Sequence, residues 1–217
     1  MRPWFLSLLT AILAGCSSMP VAPPPITAES HQQWQQRQQQ LAALDQWSIR
    51  GRVALYVDDD IYNLGLGWIR NRGDNRIKLE ASLGQGMLLL EKIDHRVRLT
   101  TAEGEIYLGT KAQQVLWQST GWSIPIEGLE FWIKGINHPD SAYRPLIDHN
   151  GLATSLQQDD WQINFLEYEE VRLRNGYNPI LPRKMYMKRE QLALKIQIDQ
   201  WQAQQDLQPS ELFPVFP

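Results

Sequence analysis

A mostly β chain, bent into a strongly curved antiparallel sheet or incomplete barrel and interrupted by helices, is the fold this sequence predicts. Three observations predict it. Apolar residues alternate with polar ones over long runs, turn signals separate those runs at close intervals, and no βα unit repeats along the chain. The 217 residues suffice for one domain of ordinary size or two small ones. An apolar content of 43%, with 9 Trp, 7 Tyr and 5 Phe, supplies a core, and 21% charged residues is too mixed a composition for disorder throughout.

The elements follow in order. Residues 29–45 are rich in Gln, with Trp34, Leu41 and Leu44 spaced by seven and three and Ser30 as a cap, which fits one amphipathic helix packed on the body. The period then changes to two. Trp47, Ile49, Gly51, Val53, Leu55 and Val57 alternate with Ser48, Arg50, Arg52, Ala54 and Tyr56, and a turn at Asp58 to Asp60 leads into a second strand with Tyr62, Leu64, Leu66 and Trp68 on one side. Gly65 and Gly67, on its other side, suit close approach or bending within the sheet. Turn signals at Arg72-Gly73-Asp74, Asp94-His95-Arg96 and Ala102-Glu103-Gly104 divide strands near 75–81, 87–93, 97–101 and 105–109, the spacing of a meander. Residues 110–119 and 127–134 read as short helices separated at Pro125. Strands return near 152–157, 161–171, 183–189 and 192–201, the last alternating through Leu192, Leu194, Ile196 and Ile198 with one slip before Trp201. Nine or ten strands are expected, and a curved sheet of that size can enclose an apolar space.

The amino-terminal region has a different character. Met1-Arg2-Pro3 precedes an apolar run from Trp4 to Gly15, too short to cross a bilayer but of the proportions of a secretory signal, so residues 1–15 are expected to be removed. Leu13-Ala14-Gly15-Cys16 resembles the bacterial lipobox, which implies that the Cys16 sulfur carries diacylglycerol and its freed amine a further acyl chain; an ordinary signal with an incidental cysteine is the alternative. Two or more acyl chains give stable membrane attachment where one does not. Ser17 stands where Asp would favour inner-membrane retention by the same resemblance, so the outer membrane is the expected destination. Pro20, Pro23, Pro24 and Pro25 favour an extended tether over residues 16–29, ahead of a single domain at 30–217.

Several function classes are disfavoured. A net charge of −3 offers no overall basic field for nucleic acid or anionic lipid, so nucleic acid is not an expected partner. His31, His95, His138 and His149 lack helical metal-motif spacing, and no metal is expected. Asp58 to Asp60 and Asp159-Asp160 occupy turn positions, where solvated carboxylates are ordinary. Ser119, Ser123 and Ser155 have no nucleophile-elbow setting, and no glycine cradle opens a helix, so neither catalysis nor a cofactor is expected.

An acyl chain has no charge or donor to recognise, so a carrier must offer hydrocarbon-lined volume, gaining about 0.8 kcal/mol per buried methylene. Tyr62, Leu64, Leu66, Trp68, Leu79, Leu89, Leu99, Trp117, Leu129 and Trp132 are candidates for cavity wall or lid; ordinary core is the competing reading for each. Leu83, alone among the turn-forming residues of Ala81-Ser82-Leu83-Gly84-Gln85-Gly86, is either a buried plug or a projecting contact for a membrane or partner.

The lipobox, the Gln-rich first helix, Trp47 followed by Arg50-Gly51-Arg52, Trp68 after an alternating strand, Leu83-Gly84, Ile124-Pro125-Ile126 and Trp132-Ile133-Lys134-Gly135 together resemble the LolB family of outer-membrane lipoprotein receptors, over roughly Ser30 to Trp201. Ser82 departs from the proline usual in that loop. The resemblance implies an incomplete antiparallel β-barrel enclosing a hydrophobic cavity, covered by a helical lid. It implies a monomer that receives acylated lipoproteins from the periplasmic carrier LolA and releases them into the inner leaflet of the outer membrane. It also implies that Leu83 is the membrane-insertion residue and that Trp68 and Trp132 are cavity or lid aromatics. A lipidated structural or assembly protein with a packed interior is the alternative.

Overall fold

The computed structural model describes residues 25–81, 87–172 and 178–203. Cys16, Leu83, the signal and most of the tether lie outside these described residues. Within them the chain forms helix α1 (Ala28–Ala42), strands β1 (Gln46–Val57), β2 (Asp60–Asn71), β3 (Asp74–Ala81), β4 (Met87–Ile93), β5 (Arg96–Thr100) and β6 (Ile106–Gly109), helices α2 (Ala112–Thr120) and α3 (Ile126–Trp132), and strands β7 (Tyr143–Ile147), β8 (Ala153–Gln158), β9 (Trp161–Glu170), β10 (Ile180–Arg189) and β11 (Leu192–Ala203).

The described strands form one sheet in the order β6-β5-β4-β3-β2-β1-β11-β10-β9-β8-β7. Every neighbouring pair is antiparallel. β6 and β7 are not paired with each other, so the barrel is incomplete. The chain passes from one edge to the other through α2 and α3, and this crossover places both helices against the sheet's inner face, α2 meeting β4, β5 and β6. α1 packs beside β7. The antiparallel sheet with helices is the fold the alternation predicted.

Two-residue turns set the register. Val57 pairs with Asp60, Asn71 with Asp74, Ile93 with Arg96 and Gln158 with Trp161. Both loop residues have positive φ at Arg72-Gly73, Asp94-His95 and Asp159-Asp160, as mirror-image hairpin turns require. The paired acids are thus hairpin tips. Because each such turn fixes pairing, inward positions carry from strand to strand: Val53 faces Leu64, Ile49 faces Trp68, and Leu66 faces Leu79.

Three local details differ from expectation. β7 extends the expected nine or ten strands to eleven; its five residues contain Pro145, tolerated because an edge strand pairs on one side only. Thr27, not Ser30, caps α1: Thr27 Oγ1 accepts from Ser30 N at 3.3 Å, while Thr27 N donates to Ser30 Oγ at 3.2 Å, a reciprocal box that places Ser30 three positions inside. The helix begins at Ala28, so residues 28 and 29 belong to the body rather than the tether. The slip in β11 is a bulge: Arg50 pairs with Gln200 and Gly51 with Ile198, leaving Asp199 extra. A Cβ at Gly51 would come within 2.1 Å of the Gln197 carbonyl oxygen, so the strands can approach there only past glycine.

Candidate functional site: an apolar cavity under the helices

The inner face of the sheet is apolar because alternation puts one side chain in two there. Val53 and Leu55 of β1, Leu64, Leu66 and Trp68 of β2, Ile77 and Leu79 of β3, Leu88 and Leu90 of β4, and Leu194 and Ile196 of β11 make the floor of a cavity. Its roof is Leu116 of α2, Trp122 and Ile124 of the connection, and Ile126 and Leu129 of α3. Among the described residues no charged or hydrogen-bonding side chain lines it, apart from the indole edges of its tryptophans. The free space is about 50 Å³, enough for a short stretch of hydrocarbon but not for an acyl chain, so a longer guest requires roof and floor to separate. At the rim the ring of Tyr62, 41% exposed, lies 5.6 Å from that of Trp122.

Of the ten wall or lid candidates, Leu64, Leu66, Trp68, Leu79 and Leu129 line this space, and Tyr62 stands at its edge. Leu99 is fully buried in the surrounding core without lining it. Leu89 pairs with Lys78 and shares its outward face, while Leu88 and Leu90 point inward; a run of three leucines hides this parity. Trp117 is 58% exposed on the far side of α2 from Leu116. Trp132 is fully buried beyond the cavity, its Nε1 donating to Gln158 Oε1 at 2.8 Å and its ring 6.1 Å from Trp161. The lining residues that sequence reasoning missed, notably Val53, Leu55, Leu194 and Ile196, lie on β1, next to β2, and on β11, the strand beyond it. Carrying the parity of Leu64 and Leu66 across the Asp58-Asp59 hairpin finds Val53 and Leu55.

The carboxyl end of α3 is held by polar contacts instead. Glu130, 4% exposed, is paired with Arg70 and accepts a hydrogen bond from Asn75 Nδ2 at 2.5 Å, while Asn75 Oδ1 accepts from Trp68 Nε1 at 2.9 Å. Burial pushes the Glu130 carboxyl above its ordinary range, opposed by Arg70, Lys92 and Asn75. Two residues past the helix, Lys134 Nζ donates to the Leu41 and Leu44 carbonyls at 2.7 and 3.1 Å, closing the end of α1. Burial, reinforced by Arg70, lowers the Lys134 ammonium to about 8 against the pull of Glu130 and Asp45. Gln158 accepts from Trp132 Nε1 and His138 N, and its amide donates to the His138 carbonyl at 2.7 Å and to Ser141 Oγ at 2.9 Å. The opposite end of the roof has lighter ties: Gln113 Nε2 to Ser123 Oγ at 2.8 Å, Arg189 to the Ser123 carbonyl at 2.8 Å, and a Lys92–Glu127 ion pair at 3.3 Å.

Among the described residues no three His, Cys, Asp or Glu side chains gather as metal ligands, and no helix is long and apolar enough to cross a membrane. His95 is a hairpin tip, and His138 packs edge-on against Phe131 at 5.1 Å.

A family model described as "Outer membrane lipoprotein LolB" matches residues 45–201, from the start of β1 into β11. Proteins named outer-membrane lipoprotein LolB are similar over most of their length. The one from Nitrosococcus oceani is 32% identical across 88% of this chain and 92% of its own. That from Pseudomonas paraeruginosa is 30% identical across 94% of this chain and 98% of its own. Among solved structures, a putative outer membrane lipoprotein-sorting protein domain from Vibrio parahaemolyticus overlaps 85% of this chain and 94% of its own at a TM-score of 0.47 and 11% identity. A LolA superfamily protein from Nitrosomonas europaea overlaps 84% of this chain and 96% of its own at the same TM-score and 6% identity.

Proposed function

We propose a function from one premise: the chain belongs to the LolB family of outer membrane lipoproteins. It is an outer-membrane lipoprotein receptor, anchored through acylated Cys16 on the periplasmic side. It accepts acylated lipoproteins from a LolA-like periplasmic carrier and inserts them into the inner leaflet of the outer membrane. The observation that carries this reading is the cavity, walled by apolar side chains of five strands and roofed by apolar side chains of two helices.

Such a cavity exchanges hydrocarbon by relative burial. Each methylene withdrawn from water contributes about 0.8 kcal/mol, so cargo moves toward whichever site buries more of the chain, and the bilayer buries it most fully. In this reading cargo acyl chains enter as α2 and the amino-terminal half of α3 lift from the floor, a movement supported by a resting space of about 50 Å³, smaller than an acyl chain. The apolar faces exposed by that movement are covered by the incoming chains themselves. Leu83 serves at the membrane step, as the apolar side chain that enters the lipid surface. No catalytic group is assigned.

The decisive experiment mixes a carrier-bound acylated lipoprotein with liposomes, with and without this protein, and fractionates the cargo. Delivery to liposomes is expected only when the protein is present; equal delivery without it rejects the proposal. A fluorescent fatty acid should bind the cavity, whereas a lipidated scaffold with a closed interior would take none. Leu83→Glu should impair delivery more than cargo receipt, because a charged tip resists apolar surroundings; unchanged delivery removes Leu83 from its role.

A further inference from the structure

The inner face of the sheet carries a charged side chain at the cavity's margin that hydrocarbon burial does not use. Along β10, Met185 and Met187 are fully buried and the next inward position is Arg189, while Lys188 between them faces solvent. Met187 pairs with Leu194, which lines the cavity, and Arg189 pairs with Leu192, one step nearer the hairpin. Two residues of strand separate those positions, about 7 Å. The roof arrives at the same place. Ser123, whose carbonyl accepts from Arg189 Nη2 at 2.8 Å, immediately precedes Ile124 of the lining. Floor and roof thus meet at a guanidinium, just outside the hydrocarbon-lined space.

The donors there are under-used. A guanidinium donates in several directions and accepts nothing. Among the described residues Arg189 pairs with no carboxylate. It makes the bond to Ser123 and lies over Trp161, its Cζ 5.2 Å from the ring centroid. Arg70 and Lys92, which also meet the roof, each have a carboxylate partner in α3. Arg189 is half-buried, and Trp161 beneath it is 1% exposed with an Nε1 that has no hydrogen-bond partner. A buried donor left unmade costs about 1–3 kcal/mol. Two neighbouring side chains therefore hold donors in excess of acceptors.

The complementary group is an oxygen that accepts and has no hydrogen to give. A carbonyl is such a group, and each acyl chain on a lipidated cysteine is headed by one, in an ester or an amide. A chain buried in the cavity brings that carbonyl to the margin where Arg189 stands. The exchange also balances: as the roof lifts, the Ser123 carbonyl leaves Arg189 and an acyl carbonyl takes its place, so the guanidinium is not left without an acceptor.

From these placements we infer that Arg189, seated on Trp161, is the polar subsite of the cavity and binds the ester or amide carbonyl that heads a cargo acyl chain. The inference rests on the acyl-carrier reading and adds to it the recognition of the ligand's polar end. Apolar walls accept hydrocarbon at any depth, whereas a few placed polar groups fix orientation in such a pocket. Arg189 sets how far the chain enters.

The test uses the mature chain with Cys16→Ser, so that no acyl group of its own enters the cavity. Displacement of a phenylnaphthylamine dye is measured with methyl laurate, with tridecane, which has as many carbons and no carbonyl, and with lauric acid. Both neutral ligands require the same opening of the roof, so the ratio of their affinities isolates the carbonyl contact. Arg189→Met should lower the ester-to-alkane ratio about tenfold, the worth of a hydrogen bond to a charged group. A merely structural role for Arg189 would move both affinities together and leave the ratio unchanged, which overturns the inference. Weakening confined to lauric acid also overturns it, in favour of an ion-pairing site for free fatty acid. A measurement on the unaltered chain decides the matter if Arg189→Met fails to fold. The infrared carbonyl stretch of bound, isotopically labelled methyl laurate should lie below its position in liquid alkane; an alkane-like position overturns the inference. Failure of the unaltered chain to bind any of the three ligands would instead reject the acyl cavity itself, and this subsite with it.

Discussion

The two ends of the helical roof face the same sheet but are held by different forces. Over β1–β4 the contact is apolar side chain against apolar side chain, with space left between. At the carboxyl end of α3, Glu130, Trp132 and Lys134 are fastened to Arg70, Asn75, Gln158 and the end of α1 by buried hydrogen bonds and an ion pair. Dispersion and hydrophobic contacts are non-directional and can be traded for contacts with a guest of similar polarity. Buried hydrogen bonds cannot, because each broken partner is left unsatisfied. The same roof is thus replaceable at one end and fixed at the other, which is what a lid that opens without detaching requires.

Removing the central carboxylate should break the comparison most severely. Glu130→Ala leaves Arg70, only 17% exposed, without its partner and Asn75 without its acceptor, and is expected to cost about 3 kcal/mol, read as a lower midpoint in urea unfolding. A matched pair of truncations sharpens it. Leu156→Ala, at a fully buried site away from the cavity, should lie toward the upper part of the range of about 2–5 kcal/mol, and Leu129→Ala, beside existing space, toward the lower. Equal losses would mean that the cavity end is as tightly packed as the rest.

Acidity offers a third probe. The Lys134 ammonium is lowered to about 8 in the folded chain, so between pH 8 and its unfolded value near 10.4 the unfolded state holds more protons. Stability should therefore rise with pH across that interval, and Lys134→Met should flatten the rise when both are unfolded in urea at pH 7.5 and 9.5. Glu130 works in the opposite sense at lower pH: its raised value favours the folded state while protonated, and that contribution is lost as pH rises above the ordinary carboxylate range. The smallest change in stability, within about 1.5 kcal/mol, is expected for Leu79→Phe, which adds bulk where space exists. Its fluorescent fatty-acid binding should nevertheless fall at least tenfold.

The apolar end of this contrast was the more legible in the sequence. Alternation together with two-residue turns located ten of the strands, and the parity of Leu64, Leu66 and Trp68 pointed toward the cavity. Even the bulge at Asp199 showed as a slip between Ile198 and Trp201. β7 escaped because five residues containing Pro145 show too little alternation, and one-sided pairing relaxes what alternation there is. The fixed end escaped for a different reason. Lys134 meets the end of α1, and Glu130 meets Arg70 and Asn75, only because the crossover from β6 to β7 carries α3 across the sheet. Nothing in local periodicity announces a hydrogen bond across some 90 positions. Trp132, expected in the cavity or lid, belongs to this fixed end, where its indole N–H needs Gln158.

The order of strands has a mechanical consequence. β1, which follows the anchored end of the chain through α1, lies mid-sheet between β2 and β11, so tension from the membrane attachment is shared along two ladders of backbone hydrogen bonds. The gap between β6 and β7 has no such ladder and is spanned by the helical crossover alone. A pull on the amino-terminal end of the chain therefore enters the sheet at a doubly paired strand, well away from its two open edges.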